Sequence, residues 1–153
     1  MPLFAENAAP QRNLSRLLNQ VARLITRDFD RRLAPLGVNV AYLSVLGTLK
    51  AAEHLSQKDL AEVGRIGQPA MAQMLDRMVK EGLIVRASDA TDRRKVLFAL
   101  SQSGSDLMPK VDAAIEKGNV EIFSILGSEG LSTLTHLLQR LGDHVRPQND
   151  QDH

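Results

Sequence analysis

Few residues in this chain are spaced for chemistry of their own. The four histidines, His54, His136, His144 and His153, show no ligand spacing. His136 and His144 would share one side of a helix but lie about two turns apart, too far to hold one ion. With no cysteine in the sequence, disulfides, thiolate metal sites and thiol redox sensing are excluded. No glycine-rich loop of phosphate-cradling type is present, and no acid–base constellation emerges. The expectation is a protein with no catalytic residues, no metal and no cofactor, hence not an enzyme. The most concentrated chemistry is instead a charge cluster, Asp92, Arg93 and Arg94, within "SDATDRRKVLFAL".

That cluster falls between "LIVRA" and "KVLFAL", two apolar and β-branched runs that read as the strands of a hairpin. Two readings of its tip stand side by side. One is an ordinary solvated turn. The other is a basic wing, with an arginine held in a DNA minor groove where negative potential is concentrated. In an extended segment Asp92 and Arg94 share a side, so the carboxylate could orient the Arg94 guanidinium while Arg93 faces a phosphate or packs elsewhere.

The elements that must position the hairpin follow from periodicity. Leu14, Leu17, Leu18, Val21, Leu24, Ile25 and Phe29 mark one face of a helix over residues 11–34, ended by "APLG". Asn39 is placed to cap a shorter helix to about Ala51. In "LSQKDLAEVG", Ser56 and Asp59 form a capping box for a helix ending near Gly64. "GQPAMAQMLDRMVKEG" then starts another, with Pro69 in its first turn and Gly82 as its stop. Two helices joined by so short a turn form a helix-turn-helix. In the second, Met71, Met74, Leu75, Met78 and Val79 make the stripe expected to be buried. Gln68, Pro69, Ala72, Gln73, Asp76, Arg77 and Lys80 then face outward, and glutamine suits adenine edges in a major groove.

Ser101 is placed to cap a long helix to about Leu126, and "GSEG" separates it from a last helix reaching about His144. Met108, Val111, Ile115, Gly118, Ile122 and Ile125 step by three and four, as do Leu131, Leu134, Leu138, Leu141 and Val145. These stripes, with that of the first helix, exceed what a small central unit can cover, which favours self-association, most simply a symmetric dimer. Charge is also segregated. Residues 11–34 carry six arginines against two aspartates, and residues 112–153 carry seven acids against three bases. The opening "MPLFAENAAPQRN" lacks the pattern of a signal peptide, and no long uncharged apolar run is present, so the expected compartment is the cytoplasm.

Residues 55–104 carry a specific resemblance. The "L-A" of the first helix, Ile66, the "Q-P" pair, "L-D-R-M", "G-L-I", "D-A-T-D-R-R" and "L-S-Q-S-G" are similar to the winged helix-turn-helix core of the MarR family of bacterial transcriptional regulators. The resemblance implies a mainly α fold with a small β-wing, a single domain over residues 1–153. Within it, residues 11–34 and 103–146 are dimerisation helices and residues 40–100 the winged lobe. It further implies a homodimer on a palindromic operator, probing double-stranded DNA through Gln68, Pro69, Gln73 and Arg77 of the recognition helix and Asp92, Arg93 and Arg94 of the wing. Ser56 and Lys58 would lie near the DNA backbone. A ligand-responsive repressor is the expected function, its effector a small anionic aromatic compound in a crevice near Arg16, Tyr42, Leu46 and Arg86.

This chain departs from the family pattern at four positions. Gly64 and Arg65 stand where leucine and then glycine are common, Ala70 where Thr or Ser is frequent, and Gln73 where Arg is frequent. Fewer cations and hydroxyls on the reading face imply fewer phosphate contacts. A dimer that senses a small molecule or a protein partner without binding DNA is the alternative these departures leave open.

Overall fold

In the computed structural model, residues 10–92 and 94–146 are described. The chain divides into two compact units, residues 1–116 and 117–153. In the first, α1 (Pro10–Leu33) runs into a 3-10 turn, Ala34–Leu36, and then α2 (Val40–Ala51). The start of α2 is satisfied twice: Asn39 Oδ1 accepts from the Tyr42 amide at 3.1 Å, and Asp30 Oδ1 accepts from the Val40 amide at 2.8 Å.

Next come β1 (Leu55–Ser56), α3 (Gln57–Gly64), α4 (Gln68–Lys80), β2 (Ile84–Ser88) and β3 (Val96–Leu100). The sheet is antiparallel with order β1-β3-β2. Its central strand pairs Phe98 with Leu55 on one side and with Arg86 on the other. The core of this unit joins Tyr42, Val45, Leu46 and Leu49 of α2 to Leu60 of α3, Met71, Leu75 and Met78 of α4, Ile84, Phe98, and Met108 and Val111 of the next helix. With one tyrosine and one phenylalanine in that set, aliphatic and methionine side chains fill it.

The last helices are α5 (Gln102–Phe123) and α6 (Gly127–Val145), with a 3-10 turn at Ser124–Leu126. Ser101 caps α5 as expected, its hydroxyl accepting from the Gly104 amide at 2.9 Å. Pro109 lies inside α5 and supplies no amide to the Ser105 carbonyl. In the second unit, α6 has no buried residue.

Three expectations are revised. Leu55 and Ser56 form a short strand that ends on the cap residue itself, a pairing imposed by β3. "GSEG" is the first turn of α6 rather than a linker: Gly127 turns the chain at φ 63°, and Glu129 then suits the helix N-terminus. On α4, Met74 and Val79 are half-buried, so the fully buried stripe narrows to Met71, Leu75 and Met78.

Candidate nucleic-acid interface

The two helices of the helix-turn-helix are fixed by local rules and by one cross-link. At the start of α3 the capping box is complete. The Ser56 hydroxyl accepts from the Asp59 amide at 3.2 Å, and Asp59 Oδ2 accepts from the Ser56 amide at 3.0 Å and from its hydroxyl at 2.6 Å. The Asp59 carboxyl is held below its ordinary value, first by the Ser56 hydroxyl and then by the Ser56 amide. Lys58 projects into solvent opposite Glu62, 3.9 Å away and one turn on. Gln57 Nε2 donates to the Gln68 carbonyl at 3.3 Å, tying α3 to the first residue of α4.

On α4, Gln68, Pro69, Ala70 and Gln73 are exposed while Met71, Leu75 and Met78 are sealed against the core. Its N-cap is Gly67, without a side-chain cap, and Pro69 sits in the first turn as expected. Exposed first-turn amides and glutamines beside them are what a helix needs to approach base edges and phosphates. Arg77 is also exposed but belongs to the last turn of the helix. Beneath it, burial first and then the neighbouring Glu81 carboxylate push the Tyr42 phenol above its ordinary value.

The hairpin tip is built from two aspartates that turn their oxygens inward. Asp89 Oδ1 accepts from the Thr91 amide at 2.7 Å, the Thr91 hydroxyl at 2.6 Å and the Asp92 amide at 3.3 Å. The Thr91 hydroxyl is the first cause of the lowered Asp89 carboxyl. Asp92 Oδ1 accepts from the Arg94 amide at 3.0 Å and faces Arg94 Nε at 3.5 Å. Arg94 itself is 93% exposed. The expected Asp92–Arg94 pairing is therefore present, but its cause differs: a turn closed by the Lys95 amide on the Asp92 carbonyl at 2.9 Å, rather than an extended strand. Arg93 lies outside the described residues.

The four residues expected to line an effector crevice do not meet in one cavity. Tyr42 and Leu46 are 3% and 1% exposed, inside the core. Arg86 projects from β2, forms an ion pair with Asp76 of α4, and lies 5.9 Å over the Phe98 ring. Arg16 stands on α1 beside a shallow cleft with Asn19, Gln20 and Arg23. A larger cleft of about 510 Å³ is lined by other residues, among them Leu49, Lys50, His54, Val85, Met108 and Pro109. Sequence reasoning missed the Asp76–Arg86 pair because its partners are on different elements. It also missed Gln57, whose only signal was its place after the cap. Among the described residues, no three His, Cys, Asp or Glu are grouped to hold a metal, and no single helix is long and apolar enough to cross a membrane.

A capped short helix, a second helix with a bare reading face and an arginine-tipped antiparallel hairpin packed on one core define a winged helix-turn-helix DNA-binding protein. The MarR family model matches residues 36–95. The fold is similar to a mutant MarR from E. coli complexed with operator DNA, at 26% identity over 84% of this chain and 93% of that one, TM-score 0.76. It is also similar to the transcriptional repressor CouR bound to a 23-mer DNA duplex (23%, covering 90% and 99%, TM-score 0.79). A third similar structure is the S. aureus MepR–DNA complex (22%, covering 86% and 97%, TM-score 0.76). Over residues 36–95 the chain thus resembles the MarR family of winged-helix transcription regulators, whose members are regulators and not enzymes.

Proposed function

We propose that this protein is a cytoplasmic repressor that binds a palindromic operator as a homodimer, each copy a single domain that contributes one winged lobe. The observation that carries the reading is the joint exposure of the α4 N-terminal face, Gln68, Pro69 and Gln73, and of Arg94, restrained at the hairpin tip by Asp92. In this reading α4 enters the major groove and the wing reaches the adjacent minor groove, with Asp92 orienting Arg94, Arg93 and Arg77 adding charge, and Ser56 and Lys58 near the backbone. That CouR is a DNA-bound repressor supports the sign of the effect.

Dimerisation is supported by apolar side chains that one chain leaves in solvent: Leu14, Leu17, Val21 and Leu24 of α1, and Leu131, Leu137, Leu138 and Leu141 of α6. Stripes of this length are a normal partner surface rather than scattered exposure. Recognition helices of the two copies then lie about 34 to 36 Å apart, one DNA turn.

Response to a small ligand is the finer part of the proposal. Tyr42 and Leu46 are sealed and Arg86 is paired with Asp76, so this part of the reading rests on Arg16, exposed on α1. The cleft beside Lys50 and His54 supports a second place for a small anionic aromatic effector, although Lys50 Nζ already meets Asp112 at 2.6 Å. The test of function is a titration of DNA at several salt concentrations with light scattering alongside. The expected result is a dimer whose log affinity for a specific site falls steeply with log salt. A monomer, or no specific complex at low salt, overturns the proposal.

A further inference from the structure

Three segments of this chain end in the same hydrogen-bonded loop, in which one amide bonds three residues back and the next bonds five back. After the 3-10 turn, Gly37 N donates to Ala34 O at 3.0 Å and Val38 N to Leu33 O at 3.4 Å. After α4, Gly82 N donates to Val79 O at 3.0 Å and Leu83 N to Met78 O at 3.0 Å. After α3, Arg65 N donates to Glu62 O at 3.2 Å and Ile66 N to Ala61 O at 3.1 Å. The pivotal residue adopts φ 70° in Gly37, 75° in Gly82 and 50° in Arg65. Two of the three positions thus hold the residue that takes a left-handed conformation without steric cost, and the third holds an arginine.

The glycine is not missing from this turn; it stands one residue early. Gly64 is the last residue of α3, where an added Cβ would lie 3.3 Å from Met71 Cε and 3.6 Å from the Ser44 hydroxyl. It thereby lets α3 pack closely on the buried Met71 of α4. Arg65 occupies the strained position, is exposed, and stands two residues before Gly67, the N-cap of α4. A long cation is in this way displayed at the turn that leads into the reading helix, whose own first two turns, Gln68 to Gln73, contain no Lys or Arg. In a docked helix-turn-helix the first helix crosses the DNA backbone and the second starts at the base edges, so the turn between them runs beside phosphates.

We infer that Arg65 is a phosphate-binding residue of the helix-turn-helix, kept in a left-handed conformation for its charge. The inference rests on the DNA-binding reading and adds to it a residue that replaces the cation absent at Gln73. Backbone strain retained at a functional position has a measurable signature: relieving it stabilises the fold and weakens the function.

The test compares Arg65→Gly, Arg65→Asn and Arg65→Lys in the full-length protein, by thermal unfolding and by operator titration against salt. Arg65→Gly is expected to raise the thermal midpoint by about 2 to 4 °C. The same variant should flatten the slope of log affinity against log salt by about 0.9 for each copy of Arg65 on the DNA. Arg65→Asn, uncharged but tolerant of the left-handed region, should flatten the slope equally, and Arg65→Lys should keep it. A raised midpoint with the parent's slope and affinity would overturn the inference and leave DNA binding standing. Absence of any salt-dependent complex of the unaltered protein would overturn both, a result told apart by the parent alone.

Discussion

Asp76 of the recognition helix α4 and Arg86 of strand β2 form an ion pair that fastens the reading helix to the base of the wing, with the guanidinium also lying over Phe98. Both side chains are about half exposed, 58% and 47%, so the pair adds at most about 1 kcal/mol to folding. Its larger effect is on the relative placement of two surfaces that must meet one duplex together. Asp76→Ala or Arg86→Ala should change the unfolding midpoint little and weaken operator binding by up to about fivefold, equivalent to that same energy. Exchanging the two, Asp76→Arg with Arg86→Asp, should recover most of the loss in a binding titration. Equal loss in the exchanged protein would show that the residues act separately.

Leu75 is wholly buried beneath the reading face. Leu75→Ala should cost about 2 to 5 kcal/mol of stability by denaturant unfolding. A smaller cost would mean that α4 is not held by its apolar back.

Gly104 lies in the first turn of α5, and a Cβ there would overlap the carbonyl oxygen of Leu83, which accepts from the Ser101 amide at 3.1 Å. The clash is with backbone, which has little room to yield. Gly104→Ala should destabilise the fold by about 1 to 3 kcal/mol, as overpacking does, measured by the shift in denaturant midpoint.

The cap of α3 makes a pH prediction. Asp59 titrates below the ordinary carboxylate value of 3.8 because the Ser56 hydroxyl and amide bond its charged form. A depressed acid contributes stability that is present above its unfolded pKa and is lost as pH falls through its folded value. The parent should therefore unfold at a higher temperature than Asp59→Asn at neutral pH, and the gap should close as pH drops below about 3.9. A gap independent of pH would contradict the cap.

The exposed apolar side chains of α6 predict assembly. Leu138→Asp should convert a dimer to a monomer in light scattering while leaving helix content by circular dichroism nearly unchanged, because α6 has no buried residue in a single chain. Retention of the dimer would place the interface elsewhere.

How much of this was legible in the sequence depended on how local the cause was. The Ser56–Asp59 box, the Asn39 cap, Pro69 in its first turn and the Gly82 stop are decided within a few residues, and each sits where its neighbours predict. The Asp92–Arg94 contact was legible as a pairing but not as a turn, since the Asp89 and Lys95 bonds that shape the tip span the loop. Strand β1 was hidden because two residues become a strand only through Phe98 and Leu97, some forty positions away. Arg65 could be seen as a departure from a pattern; that it takes up the left-handed position while Gly64 packs on Met71 needed the geometry. The surroundings of the effector set were hidden for a related reason: Tyr42 and Leu46 lie on the core face of α2, and Arg86 has its partner on another element.

The central claim is sequence-specific binding by a two-fold assembly, and selection of genomic DNA fragments by the purified protein tests it most directly. The expected result is enrichment of a site with inverted half-sites centred about 10 to 10.5 base pairs apart, lost in Arg94→Ala at moderate salt. Recovery of fragments with no shared or symmetric sequence, at any salt concentration, would contradict it.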